Sequence, residues 1–137
     1  DFVRLRLRPK ERTHRGGPAA VYVHDHFKPG YWRELGAIFA DLAALAESDG
    51  ARVAIAIVPV LSHLGDYPFT AIHRRIASQA RRSGFAVFDL LEDLRGRDAS
   101  ALRFSEADLT HPNAAGHAAI AYALAGHLAR EGMLANP

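Results

Sequence analysis

The six residues from Asp108 to Asn113, Asp-Leu-Thr-His-Pro-Asn, carry the side chains best suited to chemistry. A histidine that works as a general base needs a carboxylate on its Nδ1–H, which fixes the tautomer and stabilises the imidazolium that forms. A spacing of three residues in a loop lets the side chains of Asp108 and His111 turn toward one point. Pro112 restricts His111 to extended conformations, and Asn113 is a suitable N-cap for a following helix. The sequence therefore predicts Asp108 and His111 as a catalytic pair in a loop before the last helix.

The competing interpretation of this segment is structural. Asp108 would then be only a turn residue, and His111 a loop histidine capped by it, as most isolated Asp-x-x-His spacings are. The helical context of the segment favours the catalytic interpretation.

A nucleophile is harder to find among the serines. Ser62 follows a predicted strand, at the edge where α/β proteins place their sites, but it lacks a glycine elbow of the Gly-x-Ser-x-Gly or Gly-Asp-Ser type. The remaining serines fall on or next to predicted helices or in an irregular stretch: Ser48, Ser78, Ser83, Ser100 and Ser105. We expect none of them to be a nucleophile.

The other histidines are assigned to structure rather than to chemistry. His24-Asp25-His26 has metal-ligating side chains, but neighbours on a strand point to opposite faces, so we expect no metal site. We expect His117 to be buried on the inner face of the last helix. Four polar or aromatic side chains are expected to line a cleft or to hold the loop after a strand: His63, Asp66, Tyr67 and His73.

The elements that must position these residues follow from hydrophobic periodicity. Apolar residues at helical spacing from Trp32 to Leu45 predict a helix that ends at Gly50. The apolar run Val53–Val58, stopped by Pro59, predicts a strand buried on both faces, as in parallel sheets. Five further segments are predicted: a basic strand at 2–8, a helix from Ile72 to Gly84, a strand at Phe85–Phe88, a short helical piece at Asp89–Arg95, and a helix from Asn113 to Gly132 with Ile120, Ala121, Leu124 and Leu128 facing inward. This order predicts an α/β fold with a parallel sheet.

Composition limits the alternatives. The 137 residues are 49% hydrophobic and 23% charged and contain no cysteine, which fits one globular domain and excludes disulfide frameworks and thiolate zinc sites. No apolar run approaches 18 residues, so no membrane span is expected. Residues 1–17 hold six of the 17 basic residues and only two acids, so the remaining chain is mildly acidic. It therefore lacks the basic face that nucleic-acid binding requires.

The Asp108–Asn113 segment resembles the last motif of the SGNH (GDSL-type) hydrolases. The resemblance covers residues 31–130 and includes elements that occur in the same order in bacterial members: a long helix ending in glycine, a buried strand ending in proline, Tyr67-Pro68-Phe69-x-x-x-His73, and Gly84-x-x-Val87-x-Asp89-Leu90-Leu91. It implies a three-layer α/β/α sandwich with a parallel sheet. It also implies that His111 is first the base and then the acid of a Ser-His-Asp triad, with Asp108 orienting it.

The family's Gly-Asp-Ser motif, which carries the nucleophile, and its Gly-x-Asn-Asp motif are not in this sequence. We therefore expect residues 1–137 to form a single unit, with a basic strand and loop at 1–17 and an α/β core at 31–132, corresponding to the C-terminal part of such a domain. Alone, it would be inactive.

The function implied by the resemblance is acyl transfer to water from a small-molecule or carbohydrate ester, with no metal or organic cofactor. Two alternatives remain open: an O-acyltransferase that acts on a glycan, and a catalytically inert α/β module used for binding. The sequence indicates neither oligomeric state nor compartment.

Overall fold

The computed structural model describes residues 27–134, which form a small mixed α/β fold. Five helices and four strands occur in this range. The long helices are α1 (Pro29–Ser48), α2 (Thr70–Arg82) and α5 (Ala114–Arg130); the short ones are α3 (Leu91–Leu94) and α4 (Ala99–Leu102); the strands are β1 (Ala54–Ile57), β2 (Ala86–Asp89), β3 (Arg103–Ser105) and β4 (Asp108–Pro112). None of the helices described is both long and apolar enough to cross a membrane. The predicted strand at 2–8 and the His24-Asp25-His26 segment lie outside the described residues.

Strands β1 and β2 form a parallel pair, with α2 connecting them, as the sequence predicts. The register runs from Ala54 opposite Ala86 to Ile57 opposite Asp89. Both strands therefore end on the same edge of the sheet, where ligands bind in α/β proteins.

The two faces of the β1–β2 sheet are covered by different helices. Ile55 and Val87 pack in a cluster around Phe39 of α1 and Ala80 of α2. Ala54 and Ala86, whose side chains point the other way, pack in a second cluster that contains Ala123 of α5. Two clusters of the core are therefore built on this two-stranded sheet, and a third lies beyond its carboxyl end, around Leu61, Leu94 and Leu102.

Strand β1 is only partly buried, which corrects one prediction. Ala56 is exposed and Val58, just beyond the strand, is 45% exposed. Among residues 27–134, β1 pairs only with β2, so its other edge and part of its surface have no covering strand.

The predicted helix ends are confirmed. Gly50, Gly84 and Gly132 follow α1, α2 and α5 with φ values of 61°, 80° and 59°. Glycine adopts this left-handed conformation without the steric cost that a Cβ brings.

In two predicted inward-facing sets, some members are exposed and the prediction is wrong for them. Leu45 is 59% exposed, because the buried face of α1 continues from Phe39 to Ala46. His117 and Ala121 are exposed, because Gly116, Ala119 and Ala123 form the buried face of α5. Ile120, Leu124 and Leu128 are partly buried against the core, as predicted.

The segment predicted as an irregular stretch and a loop is ordered. Residues Ala99–Leu102 form α4, and β3 and β4 pair as an antiparallel hairpin. Asp108 and His111 therefore lie on a strand rather than in a loop.

Candidate active site

Asp108 organises the backbone at the start of β4. Its Oδ1 accepts hydrogen bonds from the backbone N–H groups of Thr110, at 3.1 Å, and His111, at 3.0 Å. Thr110 Oγ1 donates to the same oxygen at 3.2 Å. Asp108 is thus the turn residue that the structural interpretation requires, because it satisfies two N–H groups that the short hairpin leaves unpaired.

The same carboxylate also binds the imidazole of His111. The distance from His111 Nδ1 to Asp108 Oδ2 is 2.8 Å, and to Oδ1 it is 3.0 Å. An ionised carboxylate only accepts hydrogen bonds, so Nδ1 carries the proton and Nε2 is the basic nitrogen. The His111 side chain is 78% exposed. This arrangement can present Nε2 to a reacting group.

Hydrogen bonding keeps the Asp108 carboxyl ionised. Its pKa falls from 3.8 to about 2, chiefly because the backbone N–H groups of His111 and Thr110 donate to the charged form. The His111 side chain makes a smaller contribution in the same direction. At neutral pH the group is a carboxylate, as an orienting partner for a base must be.

A backbone contact places this pair beside the carboxyl end of β1. Leu61 N–H donates to the carbonyl oxygen of Leu109, the residue after Asp108, at 2.7 Å. The Arg103 guanidinium donates to the Leu61 carbonyl oxygen at 3.3 Å. The hairpin is thus attached through Leu61 to the loop that follows β1.

Asn113 fixes the hairpin to α5. Its Oδ1 accepts from the Gly116 N–H at 2.9 Å, which confirms the predicted N-cap. Its Nδ2 donates to the carbonyl oxygens of Ala101, at 2.9 Å, and Arg103, at 3.1 Å. One amide therefore caps the helix and holds the segment that leads into β3.

A second histidine–carboxylate pair, with a buried histidine and a partly exposed carboxylate, lies next to the loop after β1. His73 Nδ1 lies 2.9 Å from Asp89 Oδ1, and His73 Nε2 lies 3.2 Å from the Tyr67 hydroxyl. That hydroxyl accepts from the Val60 N–H at 2.9 Å. Tyr67 and His73 hold the loop after β1, as predicted, whereas His63 and Asp66 are exposed.

This network is internally satisfied. Tyr67 accepts from Val60, so its proton goes to His73 Nε2, and the Nδ1–H of His73 goes to Asp89. Burial raises the pKa of Tyr67 to about 12. Only 4% of His73 is exposed. The network therefore holds structure in place, and of these two pairs only Asp108–His111 presents a free imidazole nitrogen.

Sequence reasoning missed two carboxylates that pair with histidines. Asp89 is the last residue of β2. A carboxylate at the end of a predicted strand is the sequence signal that could have identified it. Asp93 Oδ2 lies 2.9 Å from His127 Nε2, and the His127 ring stacks on Phe88 with centroids 5.1 Å apart. No sequence signal marks this pair, whose members are far apart along the chain.

Three of the six serine hydroxyls are hydrogen-bonded within their own helix or turn. Ser48 Oγ bonds the Leu45 carbonyl, Ser78 Oγ accepts from Arg82, and Ser100 Oγ donates to Asp98. Between residues 27 and 134 no serine hydroxyl is hydrogen-bonded to a histidine. Over the same range, no cluster of three or more histidine, aspartate or glutamate side chains is placed to hold a metal ion.

Comparisons with protein-family models, curated proteins and solved structures found no match for this chain.

Proposed function

We propose that this chain supplies the histidine and aspartate of a Ser-His-Asp triad in an SGNH-type serine esterase. The observation that carries the proposal is the 2.8 Å contact between His111 Nδ1 and Asp108 Oδ2, with the imidazole 78% exposed. A buried histidine that fills its hydrogen bonds, such as His73, cannot accept the proton of an attacking hydroxyl group. His111 can.

In the proposed reaction, His111 Nε2 removes the proton of a serine hydroxyl as its oxygen attacks the ester carbonyl. The imidazolium is stabilised by Asp108 and then gives that proton to the leaving alcohol oxygen, which departs as the acyl-serine forms. Water attacks the acyl-serine in the second half, with His111 again removing and returning a proton. The products are the acid and the alcohol.

The nucleophile and the oxyanion donors are assigned to a segment outside these 137 residues. Ser62 and the other serines lack both a glycine elbow and a histidine partner, which supports this assignment. The proposal includes a three-layer α/β/α sandwich, in which further strands pair with the free edge of β1. The packing of α1 and α2 on one strand face, and of α5 on the other, supports it.

The test is His111→Ala in the full-length protein that contains these residues. We expect hydrolysis of p-nitrophenyl acetate to fall by at least about a thousandfold, because the serine loses its base. Thermal unfolding should be nearly unchanged, since the side chain is mostly exposed. His117→Ala, which removes an exposed histidine six residues away, is the matched control and should keep full activity.

Labelling with a fluorophosphonate tests whether the nucleophilic serine lies outside these 137 residues. The full-length protein should be labelled at a serine, and the isolated 137-residue chain should not. Undiminished hydrolysis in His111→Ala would overturn the proposal, as would labelling of Ser62 in the isolated chain.

A further inference from the structure

A cavity of about 360 Å³ opens at the carboxyl end of β1, between the loop Val58–Val60 and the helices on that side of the sheet. All but two of its lining residues are aliphatic, aromatic or proline. Phe27 and Tyr31 line one side, and Ile72 and Ile76 of α2 line another. The volume lies at the lower end of the range found for ligand sites, which are mostly apolar and concave.

Three of the four polar side chains that line the cavity already have partners; the fourth is Tyr31. The Tyr67 hydroxyl bonds Val60 and His73, and His73 also bonds Asp89. Thr110 Oγ1 bonds Asp108. A polar ligand would lose its hydration and could regain a side-chain hydrogen bond only from the Tyr31 hydroxyl, whereas an apolar ligand loses no hydrogen bond. The chemistry of the wall therefore selects an aliphatic group.

The cavity adjoins the candidate catalytic pair. Thr110, which lines it, stands between Asp108 and His111 in β4 and bonds the Asp108 carboxylate through both N–H and hydroxyl. A group in the cavity and a reacting centre at His111 are thus next to the same residue.

We infer that this cavity holds the aliphatic acyl chain of the ester substrate. The identification of the occupant as an acyl chain rests on the proposed function. The inference that the occupant is aliphatic rests on the cavity lining alone. The site favours esters of medium-length fatty acids over acetate, because each methylene that enters gains transfer free energy from water.

The fluorescence of Trp32 can report whether a ligand occupies the cavity. It is the only tryptophan of the chain, and its ring stacks on Phe27 with centroids 5.3 Å apart and meets the Tyr31 ring edge-on at 5.7 Å. Both neighbours line the cavity. A ligand that moves either ring should change the fluorescence of Trp32.

The experiment titrates the 137-residue chain with methyl butanoate, methyl hexanoate and methyl octanoate, which are neutral and differ only in chain length. We expect saturable fluorescence changes, with the dissociation constant falling roughly tenfold for each pair of added methylenes that is buried. No saturable response, or the same dissociation constant for all three esters, would overturn the inference.

Two matched variants locate the binding. Val58→Asp places a charge on the cavity wall and should weaken methyl octanoate binding at least about tenfold. Ile38→Asp makes the same change at an aliphatic residue of similar exposure, 53% against 45%, that lies outside the cavity, and should leave binding unchanged. Equal effects of the two variants would contradict the assignment.

A third variant separates this inference from the proposed function. His111→Ala should bind methyl octanoate as the unchanged chain does, because His111 does not line the cavity. Intact chain-length-dependent binding, together with no loss of hydrolysis when His111→Ala is made in the full-length protein, would refute the catalytic role alone. Loss of hydrolysis with no ester binding would refute the acyl site alone.

Discussion

At the scale of single residues, Asp108 performs two tasks with one carboxylate. Its Oδ1 ties down the backbone of Thr110 and His111, while Oδ2 makes the shorter contact with the imidazole. The structural and the catalytic interpretations of the Asp-x-x-His spacing are therefore compatible, because the turn itself brings the imidazole to the carboxylate. The low pKa of Asp108 comes mainly from the backbone N–H groups, and the imidazole lowers it further by a smaller amount.

This division of roles predicts how Asp108 titrates. Its carboxyl carbon, followed by NMR, should titrate with a midpoint of about 2, against the usual 3.8, and should stay well below 3.8 in His111→Ala. Because the pKa is lowered in the folded state, the contribution to stability is fully present above about pH 4. It is lost as the pH falls from there toward 2, which urea unfolding at several pH values would detect. A midpoint near 4 in His111→Ala would mean that the imidazole, not the backbone, holds the charge.

At the scale of elements, the first turn of α5 packs closely against Leu102, the residue that precedes β3. Gly116 is buried at this contact, and a Cβ there would overlap the carbonyl oxygen of Leu102 and lie 2.7 Å from Pro112 Cβ. The Leu102 carbonyl cannot move freely, because its oxygen accepts from the Asn113 N–H at 2.9 Å. The close approach positions Pro112, and with it the strand that carries His111.

Alanine substitutions in α5 test this contact. Gly116→Ala should lower the free energy of unfolding by roughly 1–3 kcal/mol or more, because the added methyl group forces the helix away from Leu102. Gly126→Ala is the control, since its added Cβ meets only the mobile end of the Arg130 side chain, at 3.3 Å. Helix propensity favours alanine there by about 0.5–1 kcal/mol. Urea unfolding would measure both, and a similar effect of the two changes would contradict the close-packing argument.

At the scale of the whole molecule, the Tyr67–His73–Asp89 network joins parts that are distant in the sequence. It connects the loop after β1, the buried face of α2 and the end of β2 through three buried or half-buried hydrogen bonds. The same loop is bonded to β4 through Leu61 and Leu109. The carboxyl ends of both parallel strands and the strand that carries the candidate pair are thus held in one assembly.

Removing one hydroxyl tests the contribution of this network. Tyr67→Phe leaves the Val60 N–H and His73 Nε2 without a partner, and we expect it to lower the free energy of unfolding by about 1–3 kcal/mol. Tyr122→Phe removes a hydroxyl from a tyrosine that is 82% exposed and should change stability by less than about 0.5 kcal/mol. Thermal or urea unfolding of both variants gives the comparison, and a stable Tyr67→Phe would show that water replaces the lost bonds.

Local patterns in the sequence were sufficient to predict the features that depend on near neighbours. The glycines that end α1, α2 and α5, the Asn113 cap, the strand–helix–strand order and the Asp108–His111 contact all involve residues a few positions apart, whose side chains and backbone conformations constrain one another directly. The other features follow from contacts that form when the chain folds. The hairpin that turns the expected loop into β4, the partners of His73 and His127, and the rotation of α5 that exposes His117 depend on contacts between distant segments. Leu61 with Leu109, His73 with Asp89 and Gly116 with Leu102 can meet only when the chain has folded, so no local pattern specifies them.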